Sequence, residues 1–197
     1  AVTIIYHRSR LQHQTRGNGA MIAVGVSAAE AELSINSHHD IVQVGAVNSP
    51  SMVTLAGEIA AVEALAARFE ADGKFVRRLP INYAFHSYQM DSIQTDLLSA
   101  LAEIQPKSAT IPFISTVTGA ELAGETMDAE YWWRNVRQPV RFADTINGLI
   151  QSGETTYLEI GSHPSLQNSL HDCLAANNVN GKVFYSLRRE YDESMDL

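Results

Sequence analysis

The sequence has few of the residues on which several protein classes depend. It contains one cysteine, Cys173, and its 14 Lys and Arg residues are outnumbered by 22 Asp and Glu residues. A single cysteine excludes an internal disulfide or a multi-cysteine metal site, and it fits a cytoplasmic protein. The basic residues form no stripe, which argues against a nucleic-acid partner. No apolar run approaches the roughly 18–20 residues of a membrane span, so we expect no membrane partner.

Hydrophobic residues make up 45% of the 197 residues, enough for one sizeable core. The opening stretch, AVTIIYHRSRLQ, has the apolar spacing and the basic end of the last turns of a helix. It does not begin with Met. We therefore expect the chain to begin in the middle of a domain.

Residues 19–79 predict four strands and two helices in the order βαββαβ. The strands are expected at 19–26, 40–47, 52–58 and 74–80. One helix, SAAEAELSIN, begins at Ser27 as N-cap with Glu30 in capping-box position. The other, EIAAVEALAARFEADG, carries an apolar stripe and stops at Gly73. This order is typical of a ferredoxin-like subdomain.

From Pro80 onward, strands alternate with helices, which favours a parallel α/β sheet. Helices are expected at 88–103, 140–153 and 164–177, the last with Pro164 at its first position. TIPFISTVTG (110–119), TTYLEIG (155–161) and KVFYSL (182–187) are predicted strands, and EYWWRNV (130–136) is a predicted aromatic turn.

The predicted fold class is therefore α/β with an inserted α+β unit. A large, α/β-hydrolase-like parallel-sheet subdomain is expected to comprise residues 1–18 and 80–190, with part of its sheet lying before residue 1. The ferredoxin-like small subdomain comprises residues 19–79. Residues 191–197, within REYDESMDL, are expected to begin a polar linker.

His86, in NYAFHSYQM, lies between an extended stretch and a predicted helix start, where α/β proteins place reactive groups. It could act as a general base for a hydroxyl nucleophile. Alternatively, it caps the helix or packs against Tyr83 and Phe85. No G-x-S-x-G nucleophile elbow occurs in the sequence, so the chain offers a base without its partner.

Several other residues could belong to a site, but most have a simpler structural explanation. Arg8 could clamp a carboxylate with its guanidinium fork, whereas Arg10 is expected to be solvated. The adjacent histidines of SHHD (37–40) lack further ligand spacing, so a metal site is disfavoured. Trp132 and Trp133 are expected to be packing anchors, and Cys173 a small buried residue.

An ordered set of segments across nearly all 197 residues resembles the acyltransferase domain of type I polyketide and fatty acid synthases, relatives of malonyl-CoA:acyl-carrier-protein transacylases. These segments are RSRLQ, GNGAMIAVGVS, VGAVNSPSMVTLAGE, LPINYAFHSYQM, IPFISTVTG, YWWRNVRQPVRFADTI, YLEIGSHPSL and LRRE. The resemblance implies the same architecture, a ferredoxin-like insert in an α/β domain.

The resemblance also implies roles for individual residues. His86 matches the histidine that activates the serine nucleophile, and Arg8 matches the arginine that binds the malonyl carboxylate. Asn135 matches the position whose main-chain carbonyl orients that histidine. The family's G-H-S-x-G elbow and Gly-Gln oxyanion motif do not occur in this chain and are expected before residue 1.

Two departures concern substrate choice and a turn. The stretch YAFH mixes the H-A-F-H pattern that accompanies malonyl choice with the Y-A-S-H pattern that accompanies methylmalonyl choice. Phe85 should crowd a methyl group at C2, which favours malonyl, whereas Tyr83 points towards methylmalonyl. GSHP replaces the usual G-P-H-P, so that Ser162 is expected to affect only the following helix start.

The resemblance thus implies transfer of a malonyl or methylmalonyl unit from coenzyme A through a serine ester to the phosphopantetheine of an acyl carrier protein. No bound cofactor is expected. The implied partners are acyl-CoA, the acyl carrier protein, the rest of the same domain and other synthase domains. The alternative is a non-catalytic module that docks a carrier protein or acts as a scaffold, with a distinct α/β hydrolase ranked last.

Overall fold

The structure is a computed structural model that describes residues 1–189, so the predicted linker start at 191–197 lies outside the described residues. The chain begins with helix α1 (Val2–Gln12), as its apolar spacing predicts, followed by one 3-10 turn (His13–Thr15). Leu11 is the buried residue of α1, and it anchors the helix. Within the described residues, no helix is long and apolar enough to cross a membrane.

The next part of the chain forms an antiparallel sheet with two helices. Its strands pair in the order β2-β3-β1-β4, with β2 and β3 joined as a hairpin. Their bounds are β1 Ala20–Val24, β2 Val42–Ser49, β3 Met52–Gly57 and β4 Val76–Arg78, with helices α2 Ala28–Ile35 and α3 Ile59–Ala71. This order and the connections are those of a ferredoxin-like unit. We refer to it as the small sheet.

One face of the small sheet is covered by both helices. Inward-pointing residues of β1 and β3, including Ile22 and Leu55, form one cluster with Ile35 of α2 and Phe69 of α3. In β1 and β3 alternate residues enter this core because successive side chains point to opposite faces. Ser27 is the N-cap of α2, as predicted. The Ser27 hydroxyl oxygen accepts a hydrogen bond from the Glu30 amide at 3.2 Å.

A helical layer built on α1 follows. A 3-10 turn (Tyr88–Ile93) leads into α4 (Gln94–Leu101), shorter than the helix predicted over 88–103. The predicted aromatic turn is wrong, because residues Ala129–Arg137 form helix α5. Asp128 caps it by accepting a hydrogen bond from the Tyr131 amide at 2.9 Å. Trp133 is buried with Leu11, which agrees with a role in packing.

The last elements are α6 (Phe142–Gln151), β7 (Thr156–Glu159), α7 (Gln167–Ala176) and β8 (Lys182–Tyr185). Strands β7 and β8 are parallel, as the alternating pattern predicts. The apolar stripe of α6 meets α7 in one cluster that includes the buried Cys173.

The predicted start of α7 at Pro164 is wrong, because the helix begins at Gln167. The Glu159 carboxylate accepts hydrogen bonds from the amides of Ser165 and Leu166 at 2.8 and 3.1 Å. The carboxylate at the end of β7 thus binds amides just before α7, whose free N–H groups need such a partner.

The predicted strand 110–119 is also largely absent. Only Ile114–Ser115 pairs, as β5, with the two-residue β6 (Ala120–Glu121). Gly119, with φ +75°, closes the hairpin through its amide, which donates to the Ser115 carbonyl at 2.7 Å. One further hydrogen bond, from the Leu122 amide to the Phe113 carbonyl at 2.9 Å, extends the hairpin. Residues 110–112 belong to no strand within 1–189, and Ile111 is 77% exposed.

Strand β2 joins the small sheet to the remainder of the chain. The Val47 amide donates to the Val140 carbonyl, and the Val140 amide donates to the Gly45 carbonyl, both at 2.9 Å. At the end of the same strand, the buried Ser49 hydroxyl lies 3.1 Å from a carboxylate oxygen of Asp172 on α7. Main-chain and side-chain bonds therefore fix the two parts along one seam.

Candidate active site

The loop that carries His86 is held at both ends by main-chain contacts. The Gly17 amide donates to the Asn82 carbonyl at 2.8 Å, just before β1. At the other end, the Tyr88 amide donates to the Gln43 side-chain oxygen at 2.9 Å, on β2. The loop thus crosses the face of the small sheet that the helices leave open.

Two small residues allow this close approach. A Cβ at Gly19 would lie 2.5 Å from the Cβ of Ala84, so only glycine fits there. A Cβ at Gly45 would lie 3.3 Å from the Phe85 carbonyl oxygen. The buried Ser87 hydroxyl closes the turn by donating to the Ala84 carbonyl at 2.6 Å. The backbone around position 86 therefore has little room to move.

His86 itself has φ +59°, in the left-handed region that non-glycine residues rarely adopt. Such backbone strain persists where the surroundings fix it, and it is common at functional sites. The imidazole Nδ1 lies 2.9 Å from the main-chain carbonyl oxygen of Gln138. A carbonyl oxygen can only accept, so Nδ1 carries the proton and Nε2 keeps its lone pair.

The surroundings also keep the imidazole neutral. Burial lowers the pKa of His86 to about 4, the Gln138 carbonyl opposes this shift, and the positive charge of Arg8 lowers the pKa further. At neutral pH the ring is therefore uncharged and can accept a proton at Nε2. Arg8 and His86 contact residues only three positions apart, because Arg8 donates to Asn135 and His86 to Gln138.

Arg8 reaches this region from α1. Its Nη1 donates to the side-chain oxygen of Asn135 on α5 at 2.7 Å, across 127 residues of sequence. Burial lowers the pKa of Arg8, but a guanidinium stays protonated at any pH at which a protein functions. Arg10, two residues later, is exposed as expected.

The carbonyl that meets His86 is not the one expected. The family resemblance implies this role for the main chain of Asn135, whereas the structure places the Gln138 carbonyl there. Asn135 lies inside α5, but Gln138 follows the helix with extended backbone (ψ 155°), which turns its carbonyl away from the helix axis. Pro139 could have indicated this, because a proline after a helix marks the end at which carbonyls lack helical partners. Because residues 130–136 were predicted as a turn, Pro139 was not recognised as following a helix.

Tyr83 and Phe85 lie side by side next to His86. Their rings stack with centroids 4.9 Å apart and an angle of 11° between the planes. The Tyr83 hydroxyl lies 3.3 Å from Nδ1 of His13, in the turn after α1. A separate cavity of about 160 Å³ beside His86 is lined by residues that include Val44 and Arg137.

Within residues 1–189 no serine or cysteine hydrogen-bonds to His86. Cys173 is buried in the α6–α7 cluster, and burial raises the pKa of its thiol to about 11, so it stays protonated. In the same described part, no group of three or more His, Cys, Asp or Glu side chains could hold a metal ion. The site thus contains a neutral base and a guanidinium without a nucleophile from the described residues.

The sequence was compared with protein families and with known proteins. Residues 1–195 match the family described as the acyl transferase domain. The chain is 39% identical over 188 residues to the spectinabilin polyketide synthase system protein NorA' of Streptomyces orinoci. The aligned residues make up 95% of this chain and 5% of that protein.

Solved structures show the same relationship. The acyltransferase domain from module 8 of the salinomycin polyketide synthase superposes with a TM-score of 0.94 at 32% identity, covering 95% of this chain and 44% of that chain. The acyltransferase domain of SpnD, solved in complex with 2-(pent-4-yn-1-yl)malonyl, gives a TM-score of 0.80 at 26% identity, over 96% of this chain and 45% of that chain. The chain therefore spans under half of these two solved chains and a small fraction of the curated relative.

Proposed function

This chain belongs to the acyl transferase domain family, in the form found in type I polyketide synthases, and from that premise we propose that it supplies the base and the carboxylate-binding arginine for transfer of a malonyl-type unit to an acyl carrier protein. The observation that carries the proposal is the 2.9 Å contact between His86 Nδ1 and the Gln138 carbonyl. It leaves Nε2 of a neutral imidazole free, in the region that the Arg8 charge influences.

In the first half-reaction, Nε2 of His86 accepts the proton of a serine hydroxyl that we expect from residues outside these 197. The serine oxygen attacks the thioester carbonyl of malonyl-CoA or methylmalonyl-CoA, forming an ester. The coenzyme A thiolate leaves and takes the proton from the imidazolium. This sequence is ping-pong acyl transfer by an activated nucleophile.

In the second half-reaction, the neutral imidazole accepts the proton of the phosphopantetheine thiol of the carrier protein. The thiolate attacks the serine ester, and the acyl group moves to sulfur. The serine oxygen leaves and recovers a proton from the imidazolium. His86 takes and gives a proton in each half. A pKa held below its ordinary value keeps the ring unprotonated at neutral pH, although it also makes the imidazole a weaker base.

The Gln138 carbonyl takes the place that a carboxylate has in a Ser-His-Asp triad. It fixes the tautomer by accepting the Nδ1 proton, but it supplies no full negative charge to stabilise the imidazolium. Arg8 would bind the free carboxylate of the extender unit with its planar fork. The malonyl-type ligand in the SpnD domain supports a carboxylate-bearing substrate for this chain.

Tyr83 and Phe85 are proposed to lie against the C2 position of the extender unit. Their rings are stacked, and Phe85 also packs against the cluster around Leu11 and Met90. A ring held in this way cannot easily move aside for a methyl group, which favours malonyl over methylmalonyl. The single, buried cysteine is compatible with a cytoplasmic synthase, whose other domains would be further partners.

The test uses the complete domain, in which this chain is joined to the residues that supply the serine. Acyl loading from malonyl-CoA and from acetyl-CoA is followed by intact mass. His86→Ala should reduce loading from both substrates by about 100- to 10,000-fold, the usual contribution of a general base. Arg8→Ala should reduce malonyl loading by roughly 10- to 100-fold, with acetyl loading little changed.

Arg10→Ala is the matched control, because Arg10 lies on the same helix and is exposed. It should leave both rates unchanged. Equal losses of malonyl and acetyl loading in Arg8→Ala would remove Arg8 from its assigned role. Full activity of His86→Ala would remove His86 from its assigned role as the base. Absence of loading by the wild-type domain would favour the alternative, a carrier-protein docking module without catalysis.

A further inference from the structure

Arg8 differs from several other arginines in the chemistry of its partner. Arg78, Arg137 and Arg141 each pair with at least one carboxylate, at nitrogen–oxygen distances of 2.5 to 2.8 Å. Arg8 instead donates to a neutral amide oxygen, that of Asn135, at 2.7 Å. Of the carboxylates in residues 1–189, none forms an ion pair with Arg8.

The orientation of the Asn135 amide follows from this contact. A guanidinium has only donors, so the amide must turn its oxygen towards Arg8. The amide belongs to a helix that is held firmly, since Trp133 and Val136 on either side of it are both buried. The acceptor oxygen is therefore fixed in space before any substrate binds.

The chemical nature of this acceptor matters for a guanidinium that must bind an anion. A carboxylate at the same place would also hold Arg8, but it would cancel the charge and compete with the substrate carboxylate. An amide oxygen restricts the side chain while the full positive charge remains. Because Arg8 is partly removed from water, that charge is also less screened than it would be on the surface.

We propose that Asn135 is a positioning residue that holds the Arg8 guanidinium for the substrate carboxylate without neutralising it. This inference rests on the proposed function, because it assigns a purpose to Arg8. The C-terminal end of α5 and the residue that follows it would then position two groups of the site. The Asn135 side chain aligns the group that binds the carboxylate, and the Gln138 carbonyl, three residues later, aligns the base.

The decisive variant is Asn135→Asp, which keeps the shape of the side chain and replaces the amide with a carboxylate. A purely structural contact would become a stronger, charge-assisted pair, so that stability would be kept or increased and both substrates would load as before. A positioning role predicts the opposite for function. Malonyl loading, as kcat/KM in the complete domain, should fall by roughly 10- to 100-fold, while acetyl loading changes by less than about threefold.

Asn147→Asp is the matched control for the added charge. Asn147 is also half-buried on a helix, and its side-chain oxygen accepts a hydrogen bond, from Asn177 at 2.9 Å, remote from Arg8. It should leave the ratio of malonyl to acetyl loading unchanged. A similar change of the ratio in both variants would mean that added charge alone causes it, and the inference would be wrong.

Asn135→Ala covers the case in which the aspartate variant does not fold, as judged from thermal denaturation. Without its acceptor, the Arg8 side chain keeps its charge but loses its fixed direction. The KM for malonyl-CoA should therefore rise by roughly tenfold, with kcat and acetyl loading nearly unchanged. An unchanged KM in this variant would overturn the inference.

Arg8→Ala distinguishes the role of Asn135 from the role of Arg8. If Arg8→Ala lowers the malonyl-to-acetyl ratio and neither Asn135 variant does, the inference about Asn135 fails while the proposed function stands. If Arg8→Ala leaves the ratio unchanged, the proposed role of Arg8 fails, and the role of Asn135 fails with it.

Discussion

The small sheet and the parallel pair β7–β8 handle their apolar residues in opposite ways. In the small sheet, Val53 and Leu55 are completely buried under α2 and α3, and the other face is crossed by the His86 loop. In the parallel pair, Leu158 and Phe184 are 60% and 52% exposed. Ile160, directly after β7, is 82% exposed.

The difference is whether the described residues include the elements that cover the apolar faces of each sheet. Antiparallel sheets can pack on one face only, and residues 19–79 contain both the strands and the helices that do so. Parallel strands are normally covered on both faces. Residues 1–189 cover β7 and β8 on the α6–α7 side and leave the apolar residues of the other side exposed.

The largest expected effect tests this comparison with a matched pair of substitutions. Leu55→Ala removes a fully buried side chain from the centre of the small sheet and should lower the free energy of unfolding by about 2–5 kcal/mol. Leu158→Ala, at a largely exposed position, should change it by less than about 0.5 kcal/mol. Urea denaturation of the 197-residue chain measures both. Equal losses would show that β7 is buried as deeply as β3.

A second, smaller effect sharpens the comparison at the loop between the two regions. The pKa of His86 is about 4 in the folded protein, below the ordinary value of about 6.5 that the unfolded chain has. The unfolded state therefore binds the proton more readily, and stability should decrease as the pH falls from about 6.5 to 4. The decrease should amount to at most about 3 kcal/mol.

His86→Gln should weaken this pH dependence, as measured by urea denaturation across the same pH range. His171→Gln is the control, since His171 is exposed on α7. An identical slope for the wild-type protein and His86→Gln would show that this imidazole is not kept neutral by the fold.

The smallest effect concerns the contact between β2 of the small sheet and helix α7. Ser49→Ala removes the hydroxyl that contacts Asp172 across 123 residues of sequence. The same hydroxyl also accepts a hydrogen bond from the Ser51 amide at 3.3 Å, and loss of both bonds should lower the free energy of unfolding by about 1–2 kcal/mol. Thermal denaturation of wild type, Ser49→Ala and Asp172→Asn measures it. Two independent transitions in the variant, in place of one, would show that this contact couples the two regions.

The sequence predicted the small sheet well because each of its elements carries its own signal. Alternating apolar residues define the strands, a 3.6-residue stripe defines α3, and Ser27 marks the start of α2. The prediction failed where neighbours decide the outcome. The segment 110–119 is as rich in apolar and β-branched residues as a buried strand, yet within 1–189 its first three residues belong to no sheet. EYWWRNV appeared to be a turn, although Asp128 caps it as a helix.

The candidate site divides in the same way. The residue types of His86 and Arg8 made a base and a carboxylate clamp possible, with packing or capping left open for His86, and the ordered motifs that resemble the acyltransferase family implied their roles. Only the tertiary structure decided that the Gln138 carbonyl meets His86 and that the Asn135 side chain holds Arg8. The physical reason is that every residue has a carbonyl. Which carbonyl becomes a partner depends on where a helix ends and on packing between segments 52 and 127 residues apart in the chain.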